Sequence, residues 1–235
     1  MQHWLTSSVG RKLVNGLTGA ALLGFIVVHL GGNLTLFVGP DLFNSYAHHL
    51  ESLGPLLWLA EAGLLAFVLF HVVSGASVWL DGFRARPEAY EVDSSKDGPS
   101  RKSLASRSMI ITGSTLAIFI PLHVWMFKFN GGASHPTAEL HGLTVKDLYA
   151  TVETAFQQPA VVAFYVVVML LLGLHLRHGF WSAIQTLCAL KPACSASIYT
   201  MGLAFALLVA GAFVVLPLWF YFVNASATGG FCAGP

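Results

Sequence analysis

Five long apolar stretches, separated by short polar ones, set the pattern of the chain. The first runs from about Leu13 to Phe37 and holds no Asp, Glu, Lys or Arg. The second, about Leu56 to Leu80, is interrupted only by Glu61 and His71. The others are Ser108 to Phe127, about Pro159 to Trp181, and about Tyr199 to Val223. Each is near the roughly 20 residues that a helix rising 1.5 Å per residue needs to cross a hydrocarbon core. The pattern predicts an all-α integral membrane protein: one membrane domain over 1–235, with helices at about 13–37, 56–80, 108–127, 159–181 and 199–223. The segments 38–55, 82–107 and 128–158 are predicted loops. Arg11 and Lys12 before an apolar run imitate a signal peptide, but the run exceeds the usual h-region of about 7–15 residues, which predicts a retained span. No internal repeat is read from the sequence.

Composition sharpens this. Hydrophobic residues make up 55% of the chain and charged ones 10%, against roughly 25% charged in ordinary globular proteins; the mean hydropathy is +0.69. Such a chain cannot clothe a water-soluble globule in polar surface. The net charge of +1 says little, but its distribution says more. With five spans, one side receives Arg11, Lys12, Arg84, Arg86, Lys96, Arg101, Lys102, Arg107, Arg177 and Lys191, and the other only Lys128 and Lys146. By the positive-inside rule the N-terminus is cytoplasmic and the C-terminus periplasmic. The polar 82–107 loop is then an inner surface segment. Cys188, Cys194 and Cys232 have no metal-site spacing. No Cys-x-x-Cys-His occurs, which excludes covalent c-type haem of the usual kind.

Histidine carries the chemical signal. Of ten histidines, His29, His71, His123 and His175 lie within four different predicted spans. An imidazole in lipid is costly unless paired or ligated. One alone is as well explained by an interhelical hydrogen bond. Depth separates the readings. His29 lies about 24 Å along an outward-running helix, and His123 reaches about the same height on another. His71 and His175 lie equally deep into inward-running helices, so both approach the inner face. Two pairs result, His29 with His123 and His71 with His175, about 16 Å apart in height. Two axial imidazoles at one depth are what a six-coordinate haem iron requires. With both axial positions filled, the iron can carry electrons but has no open site for substrate. Gly75 and Gly179, four residues after His71 and His175, are small-residue gaps on the ligand face where a macrocycle could lie.

Several short segments resemble one family. They are VVHL around His29, FNSYAHHLESL at 43–53, FHVVSG at His71, SRSM followed by LHVWMF at His123, and LHLRHGFWS at His175. Together, in order, they resemble the five-helix, single-chain, dihaem cytochrome b anchors of succinate:quinone oxidoreductases and fumarate reductases. The resemblance covers Arg11 to about Val223. It implies two haem b groups, the outer held by His29 and His123 and the inner by His71 and His175. The family motif His-x-x-Asn-Gly-x-Trp-Ser carries His178 here in place of Asn. Arg177 and His178 stand near the inner boundary, where cations can meet haem propionates or simply snorkel.

The resemblance also implies quinone chemistry on the outer side. Glu51 matches a family carboxylate that exchanges protons with quinone, and His48 beside it is a candidate for holding the ring; a titratable group there suits quinone redox chemistry. Menaquinone is expected in preference to ubiquinone. A second family Glu, two residues before the fourth-helix His, is Gly173 here, and Glu61 is an alternative carboxylate. The chain lacks a flavin fingerprint and cysteine clusters, so succinate oxidation requires a flavoprotein and an iron–sulfur partner, docked on the basic cytoplasmic face. Membrane lipid and quinone complete the expected partners; no nucleic acid is expected. The implied place is the bacterial cytoplasmic membrane, crossed several times. Anchors of other quinone-linked dehydrogenases, the fumarate-reducing direction and a proton-coupled transporter remain the rival readings.

Overall fold

The computed structural model describes residues 7–85, 104–188 and 195–224. Most of the polar inner loop, with Arg86, Lys96, Arg101 and Lys102, lies outside them, as do Lys191, Cys194 and Cys232. Among the described residues, five helical stretches are long and apolar enough to cross a membrane: Ser8–Phe37, Pro55–Arg84, Met109–Phe127, Pro159–Cys188 and Ser195–Val223.

Helix α1 (Ser8–Leu34) starts where the Ser7 side chain accepts from the Gly10 N–H at 3.0 Å, satisfying one of the orphan donors of a helix start. Short helix α2 (Pro40–Ser52) follows, then α3 (Pro55–Arg84). Both begin on proline, which fits a first helical turn whose N–H groups need no partner. One-turn helix α4 (Leu104–Arg107) leads into α5 (Met109–Phe127). The 128–158 segment, expected as a loop, contains a hairpin of β1 (Thr137–Leu140) and β2 (Leu143–Lys146), then helix α6 (Leu148–Phe156). His141 and Gly142 form the hairpin's two-residue turn at φ 51° and 81°. Positive φ at both central residues matches the right-handed twist of the strands.

Helix α7 (Pro159–Cys188) is the hub, packed on α8 (Ser195–Trp219), α1 and α5. Small residues permit the close approach: a Cβ on Gly173 would lie 3.1 Å from Ala210 Cβ, and one on Gly202 3.1 Å from Phe180. Helix α3 packs mainly on α1. Arg11 and Asp81 join α1 to α3 at one end of the bundle, at 2.7 Å. An ion pair of Lys128 with Glu61 joins α5 to α3 at the other end. We call these the first and second ends. Inside α8, Pro217 can donate no bond to the preceding turn. The helix passes into a π turn (Phe220–Asn224), and Gln157 Nε2 donates to the Phe220 carbonyl at 2.8 Å.

At the second end α2 is pinned to the start of α6. Asn44 Nδ2 donates to Asp147 Oδ1 at 2.9 Å, and Asn44 Oδ1 accepts from the Tyr149 N–H at 3.0 Å. Tyr46 of α2 packs on the backbone of Gly32, where an added Cβ would come within 2.6 Å of the ring. The second end is thus covered by α2 and the hairpin packed on it.

Candidate functional site

The four intrahelical histidines meet in two pairs. His29 of α1 and His123 of α5 have ring centres 5.8 Å apart, with planes at 89°. His71 of α3 and His175 of α7 are 6.2 Å apart, with planes at 73°. Two imidazoles that share one metal through bonds of about 2 Å hold their ring centres about 6 Å apart. Both pairs meet that spacing.

Hydroxyl groups fix which nitrogen is available. Thr18 of α1 is 6% exposed and Thr112 of α5 fully buried. Thr18 Oγ1 donates to the Val14 carbonyl at 2.7 Å, so its oxygen is left to accept from His71 Nδ1, 3.3 Å away. Thr112 Oγ1 likewise donates to the Met109 carbonyl and faces His175 Nδ1, each at 3.3 Å. Tyr165 OH of α7 lies 3.1 Å from His123 Nδ1 and 3.8 Å from Met126 Sδ. All three contacts engage Nδ1, which leaves Nε2 as the ring nitrogen that could take a metal. His29 differs: Asn33 Nδ2 stands 3.4 Å from its Nε2 while also donating to the His29 carbonyl at 2.8 Å. That amide must yield if iron takes the nitrogen.

Aromatic rings brace the upper pair. Phe25 stacks on His29 at 5.5 Å and Phe119 on His123 at 5.4 Å, each one turn earlier on the same helix. Glycine makes room at the lower pair. A Cβ on Gly19 would stand 3.2 Å from His71 Cε1, and one on Gly113 3.5 Å from His175 Cε1. These residues expose a repeat that sequence reading missed. Thr18, Gly19, Phe25 and His29 recur at identical spacing as Thr112, Gly113, Phe119 and His123, the pattern Thr-Gly-x5-Phe-x3-His. Scanning around each histidine for equal spacing would have found it. Eleven residues are close to three helical turns, so Thr and His share a face about 16 Å apart. Each of α1 and α5 thus lends one histidine to the upper pair and a threonine beside one of the lower pair.

The glycines after the lower histidines are not alike. Around Gly179 there is open space, whereas Asn15 Oδ1 stands 3.3 Å from where a Gly75 Cβ would be. Asn15 therefore closes the gap expected at Gly75. At the lower boundary Arg177 donates to Tyr199 OH at 2.7 Å and lies over that ring. Its Nε, like that of Arg11, is buried without a hydrogen-bond partner. A buried, unpartnered guanidinium N–H suits an anionic group such as a propionate. His178 lies on the same helix, half-buried.

The residues expected to serve quinone lie at the second end. His48 and Glu51 are both exposed on α2. Glu51 is held by Lys146 of β2 at 2.8 Å, and Glu61 by Lys128. The hairpin thus supplies a cation to the candidate carboxylate, which the sequence did not reveal because 95 residues separate the two.

The chain is similar to the succinate dehydrogenase cytochrome b558 subunit of Bacillus subtilis (strain 168), 27% identical over 173 residues, 73% of this chain and 76% of that protein. This similarity, with five membrane-length helices, supports the resemblance to cytochrome b anchors read from the sequence. No family model matches the chain, and no solved structure does.

Proposed function

We propose that this chain is the haem-carrying membrane anchor of a succinate dehydrogenase, linking a soluble flavoprotein and iron–sulfur pair to a membrane quinone. The observation that carries the reading is the meeting of four helix histidines in two pairs with ring centres 5.8 and 6.2 Å apart. His29 and His123 hold one haem b, and His71 and His175 the other. When bound, haem supplies one-electron carriage with no open coordination site. The chain's own residues hold the imidazoles, exclude water with Phe25 and Phe119, and offer Arg177 and His178 to the propionates at the first end. Among the described residues that end carries Arg11, Lys12, Arg84 and Arg177. Their charge supports a cytoplasmic N-terminus and docking of the hydrophilic subunits there. The periplasmic end carries Glu51, which exchanges protons with quinone, and His48, which helps hold the ring. Menaquinone as acceptor, the succinate-oxidising direction and the bacterial cytoplasmic membrane belong to the same reading.

The test is the absorbance spectrum and haem content of the chain purified from membranes with its co-purifying subunits. Two low-spin protohaems per chain are expected. His71→Ala or His175→Ala should remove one, and His29→Ala or His123→Ala the other. One haem per chain, a high-spin signal or a colourless preparation overturns the assignment.

A further inference from the structure

We propose that Thr18 and Thr112 are positioning residues for the lower histidine pair, and that their hydroxyls set the reduction potential of the iron held there. The inference rests on the haem reading above and goes beyond it to residues outside the ligand set. Both hydroxyls are sealed from water; Thr18 donates to the Val14 carbonyl at 2.7 Å, and Thr112 stands 3.3 Å from both the Met109 carbonyl and His175 Nδ1. With iron on Nε2, Nδ1 of each imidazole would carry the proton, so each oxygen would accept from the ring that faces it, at His71 alongside the Asn15 backbone. The two would act on the two imidazoles of one site, since His71 and His175 face each other.

A hydrogen bond accepted from Nδ1–H does two things. It fixes the ring's rotation, so that Nε2 points at its target, and it raises the basicity of Nε2. A more basic ligand favours ferric over ferrous iron, which lowers the potential. A hydroxyl is a neutral acceptor, weaker than a carboxylate, so the effect is intermediate and adjustable from either side. Gly19 and Gly113, each directly after its threonine, bring the helix backbone close enough for this contact. The doubling of Thr-Gly at equal distance from His29 and His123 is the second, independent observation. The upper pair is built differently, with a hydroxyl from Tyr165 beside His123 and an amide from Asn33 beside His29. Altering the threonines should therefore move one haem and leave the other.

The experiment is a potentiometric titration of the purified complex, followed in the haem absorbance bands, for Thr18→Val, Thr112→Val, the double variant and the two Thr→Ser variants. Haem content and the low-spin ferric resonance signal are read alongside. Valine keeps the shape and removes the acceptor. Each Val variant should shift the potential of the His71/His175 haem upward, or weaken its binding about 10- to 100-fold. The double variant should shift it further, and serine should restore wild-type behaviour. Thr115→Val is the control, because its hydroxyl bonds the Ile111 carbonyl on its own helix, at 2.9 Å, and, among the described residues, no histidine. Two haems bound at unchanged potential and affinity in both Val variants overturn this inference alone. So does a serine variant that behaves like valine, or a shift confined to the His29/His123 haem. A wild-type chain without haem overturns the proposed function instead.

Discussion

Replacing Tyr165 with Phe removes one oxygen from the upper site and little else. The ring packs 5.2 Å from Phe119 and 5.1 Å from Phe156, edge to face, and phenylalanine keeps both contacts. The lost oxygen is the hydrogen-bond partner of His123 Nδ1, 3.1 Å away, in a residue that is 5% exposed. The imidazole Nδ1 is then left buried without that partner, at a cost of about 1–3 kcal/mol. The parting contact to Met126 sulfur is long at 3.8 Å and adds little. At 1.4 kcal/mol per tenfold, haem affinity at the His29/His123 pair should fall about 5- to 140-fold. The assay is haemin titration of chain produced under haem limitation, reading the low-spin absorbance band of each site. The His71/His175 site should fill as in wild type, because Thr18 and Thr112 are untouched. Equal affinity at both sites in Tyr165→Phe would refute the hydrogen-bond assignment, and weakening of the His71/His175 site would refute the pairing.

Three further outcomes follow from other contacts. Glu51→Gln should leave both haems bound and dye-linked succinate oxidation intact while lowering quinone-linked turnover about 100-fold; wild-type turnover with quinone would make the carboxylate a bystander and Glu61 the next to test. Gly32→Ala places a methyl 2.6 Å from the Tyr46 ring and should cost about 1–3 kcal/mol of stability, measured by thermal unfolding in detergent. Tyr46→Leu in the same chain should recover part of that, and a Gly32→Ala protein as stable as wild type would show that α2 does not seat on α1. Gly179→Ala meets nothing within 4 Å and should leave the melting temperature unchanged. It should nevertheless reduce haem uptake at the His71/His175 site if that open face receives the macrocycle, and full uptake would remove the glycine from the site.

The spans were legible because an apolar run of membrane length has few other uses, and the histidine pairs because a fixed rise per residue turns sequence number into depth. Thr18 and Thr112 were harder. A threonine in an apolar helix ordinarily bonds its own backbone, as Thr115 does to Ile111, so the residue type alone carries no signal. The roof over the second end was invisible for a different reason. Its hairpin is only four residues per strand, turned by His141 and Gly142, and its value lies in the contact of Lys146 with Glu51. Asn44 and Asp147 likewise read as ordinary polar loop residues, and only folding brings them to 2.9 Å. Gly75 illustrates the opposite error. Its spacing from His71 matches that of Gly179 from His175, yet Asn15 approaches the space beside it. A glycine reports room only relative to what the neighbouring helix places there.

The repeated Thr-Gly-x5-Phe-x3-His also changes what kind of mutation the chain can tolerate. On α1 and α5 the two marks are joined by continuous helix, so their separation is a property of chain length and their alignment a property of residue count. Letters between the marks can change with modest effect while they stay apolar. A single inserted or deleted residue between Thr18 and His29, or between Thr112 and His123, would turn one mark about 100° away from the other. The helix would still span the membrane and still bury its apolar surface, yet it could serve only one histidine pair at a time. Variation in these two segments should therefore be free in spelling and closed to indels, a constraint that a random insertion library scored for haem content would reveal directly.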